Sequence, residues 1–269
     1  MVSTPSVSRA ILAAFASLLV ACAAPRVAGR SAPEIYAATG HVMKYAVSLP
    51  ARWTRDRAWP VVVVIPDATR DFAGNLAEFT TKGASTPFIF VAPHVVTSGG
   101  ARGYRSAPGY RYTEAEWSEV DRLGEFRFDE DGLAAVVADV HTRFNGDERV
   151  YLTGWEAGGH TVWALVLRHP ERYHAVAPVS TNYQGRWLDP TDLAPSEAVK
   201  PQVKVFFCGI GCGEQDSRQA FLTQTRAAIS AARARGFDDI PIDVREGSPH
   251  GPLAADVLAW FMSLSNGPR

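Results

Sequence analysis

Val150-Tyr-Leu-Thr-Gly-Trp-Glu-Ala-Gly-Gly-His160 is the stretch on which the reading of the fold turns. It opens on a β-branched and aromatic run, which predicts a buried strand. Gly154, Gly158 and Gly159 then mark a tight turn, where neighbouring backbone comes close. Thr161-Val-Trp-Ala-Leu-Val-Leu-Arg168 continues as a helix that Pro170 stops. Strand, glycine-flanked turn and helix form the layout of a nucleophile elbow, which pushes one side chain into the open at the carboxyl edge of a sheet. That residue is Glu156, within Gly154-x-x-x-Gly158, at a position where serine would be expected.

Working outward, strands and helices alternate. His41 to Leu49 reads as an edge strand, and Val61-Val-Val-Val-Ile65 as a central strand buried on both faces. Phe88 to Ala92, Ala175 to Val179, Val203 to Cys208 and Ile240 to Val244 add further strands. Helices are predicted over Phe128 to Phe144, Ser217 to Arg235 and Leu253 to Leu264. Asp129, Glu130 and Asp131 enrich the predicted first turn of the Phe128 helix, where the dipole favours anions. The alternation argues for a mostly parallel central sheet with helices on both faces, in an α/β fold. The connection from Val95 to Glu125 is long for a compact domain and leaves the carboxyl end of a strand. Tyr104, Arg105 and Trp117 on it, together with Trp155, are candidates for a substrate rim; a solvated surface loop is the plain alternative.

Composition sets the class. The 269 residues are 46% hydrophobic and 20% charged with net charge −1, which suits one globular domain. Near-neutral charge gives no argument for binding nucleic acid. The apolar run Ala10 to Ala21 after Arg9 is too short to span a bilayer and has the form of a signal segment. It ends in Leu19-Val-Ala-Cys22, which is similar to the lipobox of bacterial lipoproteins. That resemblance implies a signal peptide over residues 1–21, lipid on Cys22, a tether over 22–34 and a single domain over 35–269. It also implies a lipid-anchored protein of the bacterial cell envelope, sorted to the periplasmic face of the outer membrane. An ordinary secretory signal cleaved near Ala21 or Ala24 is the alternative. Export bears on Cys208 and Cys212: the spacing allows a small disulfide across a loop, and free thiols are the other reading. No second cysteine pair offers a metal site, and no cofactor motif stands out.

Tyr151-Leu-Thr-Gly-Trp-Glu-Ala-Gly-Gly, with Trp163-Ala-Leu, Arg168-His-Pro-Glu-Arg and Ala175-Val-Ala-Pro-Val-Ser, resembles the α/β-hydrolase superfamily. The nearest group is that of esterase D, the feruloyl esterases and the polyhydroxybutyrate depolymerases. The resemblance runs from about Tyr45 to the C-terminus and implies serine hydrolase ancestry, with an acyl or carbohydrate-linked ester as the ligand class. It places the triad acid at Asp216 and the histidine at His250 in Ser248-Pro-His-Gly251. Oxyanion donors fall at the backbone of Ala157 and of Asp67 or Ala68. The family's usual His-Gly is replaced here by Pro66-Asp67-Ala68, and a carboxylate at Asp67 would oppose a developing oxyanion. With Glu156 in place of serine, acyl transfer through a hydroxyl is excluded at the elbow. Two expectations follow: an envelope lipoprotein that keeps the pocket for binding, or a hydrolase using Glu156 as carboxylate nucleophile or general base.

Overall fold

The computed structural model describes residues 33–98, 105, 107, 109–208 and 215–265; for 215–218 only the backbone is considered. Cys22, Tyr104 and Cys212, and with them the signal, lipid and most of the tether, lie outside the described residues, as does the side chain of Asp216. No described helix is long and apolar enough to cross a membrane.

Among the described residues a nine-stranded sheet forms the centre. Its order is β1 (Ile35–Ala37), β2 (Lys44–Ser48), β4 (Ile89–Pro93), β3 (Trp59–Ile65), β5 (Gly146–Trp155), β6 (Ala175–Val179), β8 (Val205–Cys208), β9 (Ile242–Arg245), with β7 (Gln202–Val203) also pairing to β6. From β4 to β9 the strands are parallel, while β2 runs antiparallel to both of its neighbours, β1 and β4. This is the mostly parallel α/β sheet expected. β3 is buried along all seven residues, as its unbroken Val run requires in a strand covered on both faces. The His41–Leu49 stretch is not the edge: β2 sits one place in, and Ile35-Tyr-Ala covers it. Three residues of strand are too short for a periodic signal.

Helices α1 (Phe72–Lys82) and α6 (Ala254–Ser265) pack on each other, and α1 lies on β4. Helices α3 (Glu125–Phe144) and α4 (Gly158–Arg168) pack on β5. α5 spans Gln215–Arg233. The connection after β4 is partly helical: α2 (Glu114–Leu123) starts at Thr113 with a reciprocal capping box to Glu116.

α3 begins at Glu125, so Asp129 and Glu130 belong to its second turn and not to its first. Both are buried, which corrects the dipole reading: they serve tertiary bonds. Asp129 is fully buried and accepts hydrogen bonds from the backbone N–H of Val96 (2.9 Å) and Thr97 (2.8 Å) and from the Thr97 hydroxyl. Thr97 Oγ1 then meets Thr161 Oγ1 of α4 at 2.6 Å. Glu130 takes Arg168 Nε at 2.7 Å and His169 Nε2 at 2.8 Å, tying α3 to the end of α4. Burial pushes the Glu130 carboxyl up, but the bonds from His169 and Arg168 outweigh it and hold it near 2.

Candidate functional site

The turn after β5 is an elbow. Glu156 sits in the left-handed region at φ 49°, a conformation that costs a non-glycine residue about 1–3 kcal/mol unless its surroundings hold it. They do: its N–H donates to Val179 O at 3.2 Å, and its carbonyl accepts from Asn182 N (2.9 Å) and Gly159 N (3.1 Å). The end of β6 therefore clamps the elbow. Two glycines are sterically required. A Cβ at Gly158 would lie 2.4 Å from Pro66 O, and one at Gly159 would lie 2.1 Å from Thr181 Cβ.

The half-buried Glu156 side chain turns toward the loop after β3, where Oε2 accepts the N–H of Ala68 at 3.3 Å. The resemblance assigned that N–H to the oxyanion hole. Here it already holds a carboxylate oxygen, carried by the elbow itself. The N–H of Ala157, the other expected donor, makes no hydrogen bond among the described residues. Asp67 does not act as expected. Its carboxylate accepts Thr69 N–H and Thr69 Oγ1–H, forming a local turn, so it orders the loop that presents Ala68. Arg70 Nη1 donates to Ala68 O at 3.2 Å and braces the same loop.

His250, on the loop between β9 and α6, reaches this edge. Its ring lies 5.1 Å from that of Trp155, the residue before Glu156, and 5.9 Å from Phe221. The atom facing His250 Nδ1 is Cys208 Sγ at 3.6 Å. Among the described residues no hydrogen bond joins His250 to Glu156. A hydrolase histidine needs a carboxylate at Nδ1 to fix its tautomer and support the imidazolium. A sulfur at 3.6 Å supplies neither. Cys208 is disulfide-bonded, and its partner cysteine lies outside the described residues. Ser180, a conceivable displaced nucleophile because it follows the next strand, is fully buried. Its Oγ accepts Cys208 N–H at 3.0 Å and sits 3.0 Å from Cys208 Sγ.

The expected rim divides. Trp155 is half-buried beside His250. Trp117 is not at the rim: it is 4% exposed, packed edge-on to Tyr110 and Tyr112 at 5.2 and 5.1 Å. Arg105 is drawn back to it, with its guanidinium 5.2 Å over the Trp117 ring and paired to Asp121. No group of three or more potential metal ligands occurs among the described residues.

A family model named Esterase, described as "Putative esterase", matches residues 37–240. No curated protein matches the chain. Solved structures agree on the fold. A thermostable esterase is 17% identical at TM-score 0.54, covering 88% of this chain; the chain spans 63% of that protein's length, less than two thirds. An S-formylglutathione hydrolase from Agrobacterium tumefaciens is 17% identical at TM-score 0.56, covering 82% of this chain and 89% of the other. The siderophore hydrolase EstB from Aspergillus nidulans is 15% identical at TM-score 0.57, covering 91% and 99%. At these identities the likeness concerns the α/β-hydrolase fold alone.

Proposed function

This chain belongs to the esterase family, and we propose that it is a lipid-anchored envelope member whose elbow has lost serine esterase chemistry and whose pocket is kept for binding a small ester or related acyl ligand. One observation carries the reading: Glu156 Oε2 accepts the Ala68 N–H that an oxyanion would need. A hydrolase must keep its oxyanion donors free for charge that develops only in the transition state. Here a resident negative group of the same kind uses one donor in the ground state. The ligand class rests on the family and on the esterase and hydrolase neighbours, and needs neither cofactor nor metal.

A fluorophosphonate probe that labels active serines is expected to leave the wild-type protein unlabelled. The elbow has no hydroxyl, and Ser180 is fully buried. Labelling that disappears in Ser180→Ala would show a displaced nucleophile and defeat the proposal.

The envelope assignment rests on Leu19-Val-Ala-Cys22 after the short apolar run. Mass spectrometry of the membrane fraction is expected to find the mature protein beginning at an acylated Cys22. Two acyl chains are enough for stable anchoring where one gives only marginal binding. A soluble form beginning at Ala24 or later would refute this part.

A further inference from the structure

Beside the elbow-facing loop lies a cavity of about 590 Å³ that contains none of Glu156, Ala157 and His250. It opens where β4 ends and α1 begins. Its walls include Arg70, Asp71 and Phe72 from the start of α1, His94 from the end of β4, Arg111 from the connection before α2, and Ile35 of β1.

His94 is the informative residue. It is only 2% exposed, and its ring stacks on Phe72 at 4.3 Å and 24°. Its backbone is satisfied, with N–H donating to Lys44 O at 2.8 Å and C=O accepting from Tyr112 Oη at 2.9 Å. Neither ring nitrogen has a partner among the described residues, and Nδ1 is buried without one. Buried polar atoms are rarely left so. Burial, reinforced by the charges of Lys44 and Arg111, lowers the imidazole to about 4, so the ring is neutral and the cavity's field is positive. Arg111 is exposed, and its guanidinium makes no ion pair or hydrogen bond among the described residues. Lys44, in contrast, is paired to Glu116 at 3.0 Å.

We propose that this cavity binds a small monocarboxylate with a flat apolar body. The exposed Arg111 guanidinium matches the fork geometry of a carboxylate. His94 offers a neutral N–H to it, and Phe72 and Ile35 form the apolar wall. Asp71 sets the charge. Its carboxylate caps Gly74 N–H at 2.9 Å and leaves two guanidiniums against one acid at the cavity, which suits one negative charge and disfavours two. The site goes beyond the proposed function and holds whether or not Glu156 takes part in chemistry.

Isothermal titration calorimetry of the full-length protein tests it with three probes: benzoate, its neutral isostere benzamide, and inorganic phosphate. Benzoate is expected to bind saturably, and benzamide at least tenfold more weakly. Arg111→Gln, at an exposed side chain that folding does not need, should weaken benzoate at least tenfold. His94→Phe, which keeps the stacking on Phe72, should weaken it as well; if that variant misfolds, Arg111→Gln decides. Benzoate that fails to saturate, benzamide binding as tightly, or an Arg111→Gln protein with unchanged affinity would each overturn the proposal. Phosphate binding more tightly than benzoate would overturn the carboxylate assignment.

Discussion

Asp129→Ala is expected to lower stability by about 3 kcal/mol, or roughly 6–12 °C in Tm for a domain of this size. The carboxylate is fully buried and receives the Val96 and Thr97 N–H groups and the Thr97 hydroxyl. Truncation leaves two backbone donors buried and unpaired, at about 1–3 kcal/mol each, less what is regained by removing a buried charge. Asp129→Asn keeps one acceptor and should cost less. The sign with pH is specific. Burial pushes the Asp129 carboxyl up to about 7, although its three donors pull the other way. Between about pH 4 and 7 the folded protein then holds a proton that the unfolded chain has released, so this group's contribution falls as pH rises through that window. Asp129→Asn should flatten that part of the profile. Urea unfolding of the three proteins at pH 4.5 and 7.5 measures both effects; an alanine variant within 0.5 kcal/mol of wild type would rule out the structural role.

Glu156→Ser is the second large effect, and it concerns activity. Serine removes the carboxylate from Ala68 N–H, so Ala68 and Ala157 become available together as donors. It also supplies a hydroxyl on an elbow whose preceding residue, Trp155, packs against His250. What the substitution does not supply is a carboxylate at His250 Nδ1: among the described residues the atom there is Cys208 Sγ. Sites that keep the oxyanion hole but lack one triad member retain on the order of 10³–10⁴-fold acceleration over water. Slow hydrolysis of p-nitrophenyl acetate in that range is therefore expected from the variant. Turnover at the rate of a complete serine esterase would mean that His250 has a carboxylate partner after all. No turnover at all would mean that the Ala68 and Ala157 N–H groups do not form a working oxyanion hole.

The central strands were legible because each is a short, unbroken apolar run: Val61 to Ile65, Phe88 to Ala92 and Ala175 to Val179. The elbow was legible because Gly158 and Gly159 are sterically forced by Pro66 and Thr181. Helix α1 was missed. Phe72-Ala-Gly-Asn-Leu-Ala-Glu-Phe buries Asn75 on its apolar face and carries a glycine, so its periodicity is weak. The capping signal Thr113-x-x-Glu116 was present inside a stretch read as loop, and it would have announced α2. β5 begins at Gly146, before Val150, because Asp147, Glu148 and Arg149 extend it with a charged, partly exposed segment. The candidate site was legible residue by residue but not in its pairings. Placing Glu156, His250 and Ala68 at one sheet edge follows from topology. That Glu156 bonds Ala68, that Asp67 turns to Thr69, and that His250 faces a sulfur are tertiary facts without a local sequence signal.

The most direct test of the account is p-nitrophenyl acetate turnover by the wild-type protein beside Glu156→Gln. If the Glu156 carboxylate occupies the donor that an oxyanion would need, neither protein exceeds the buffer rate. Robust turnover by wild type that is lost in Glu156→Gln would contradict the account and establish a glutamate-based hydrolase, with Glu156 acting as nucleophile or as general base.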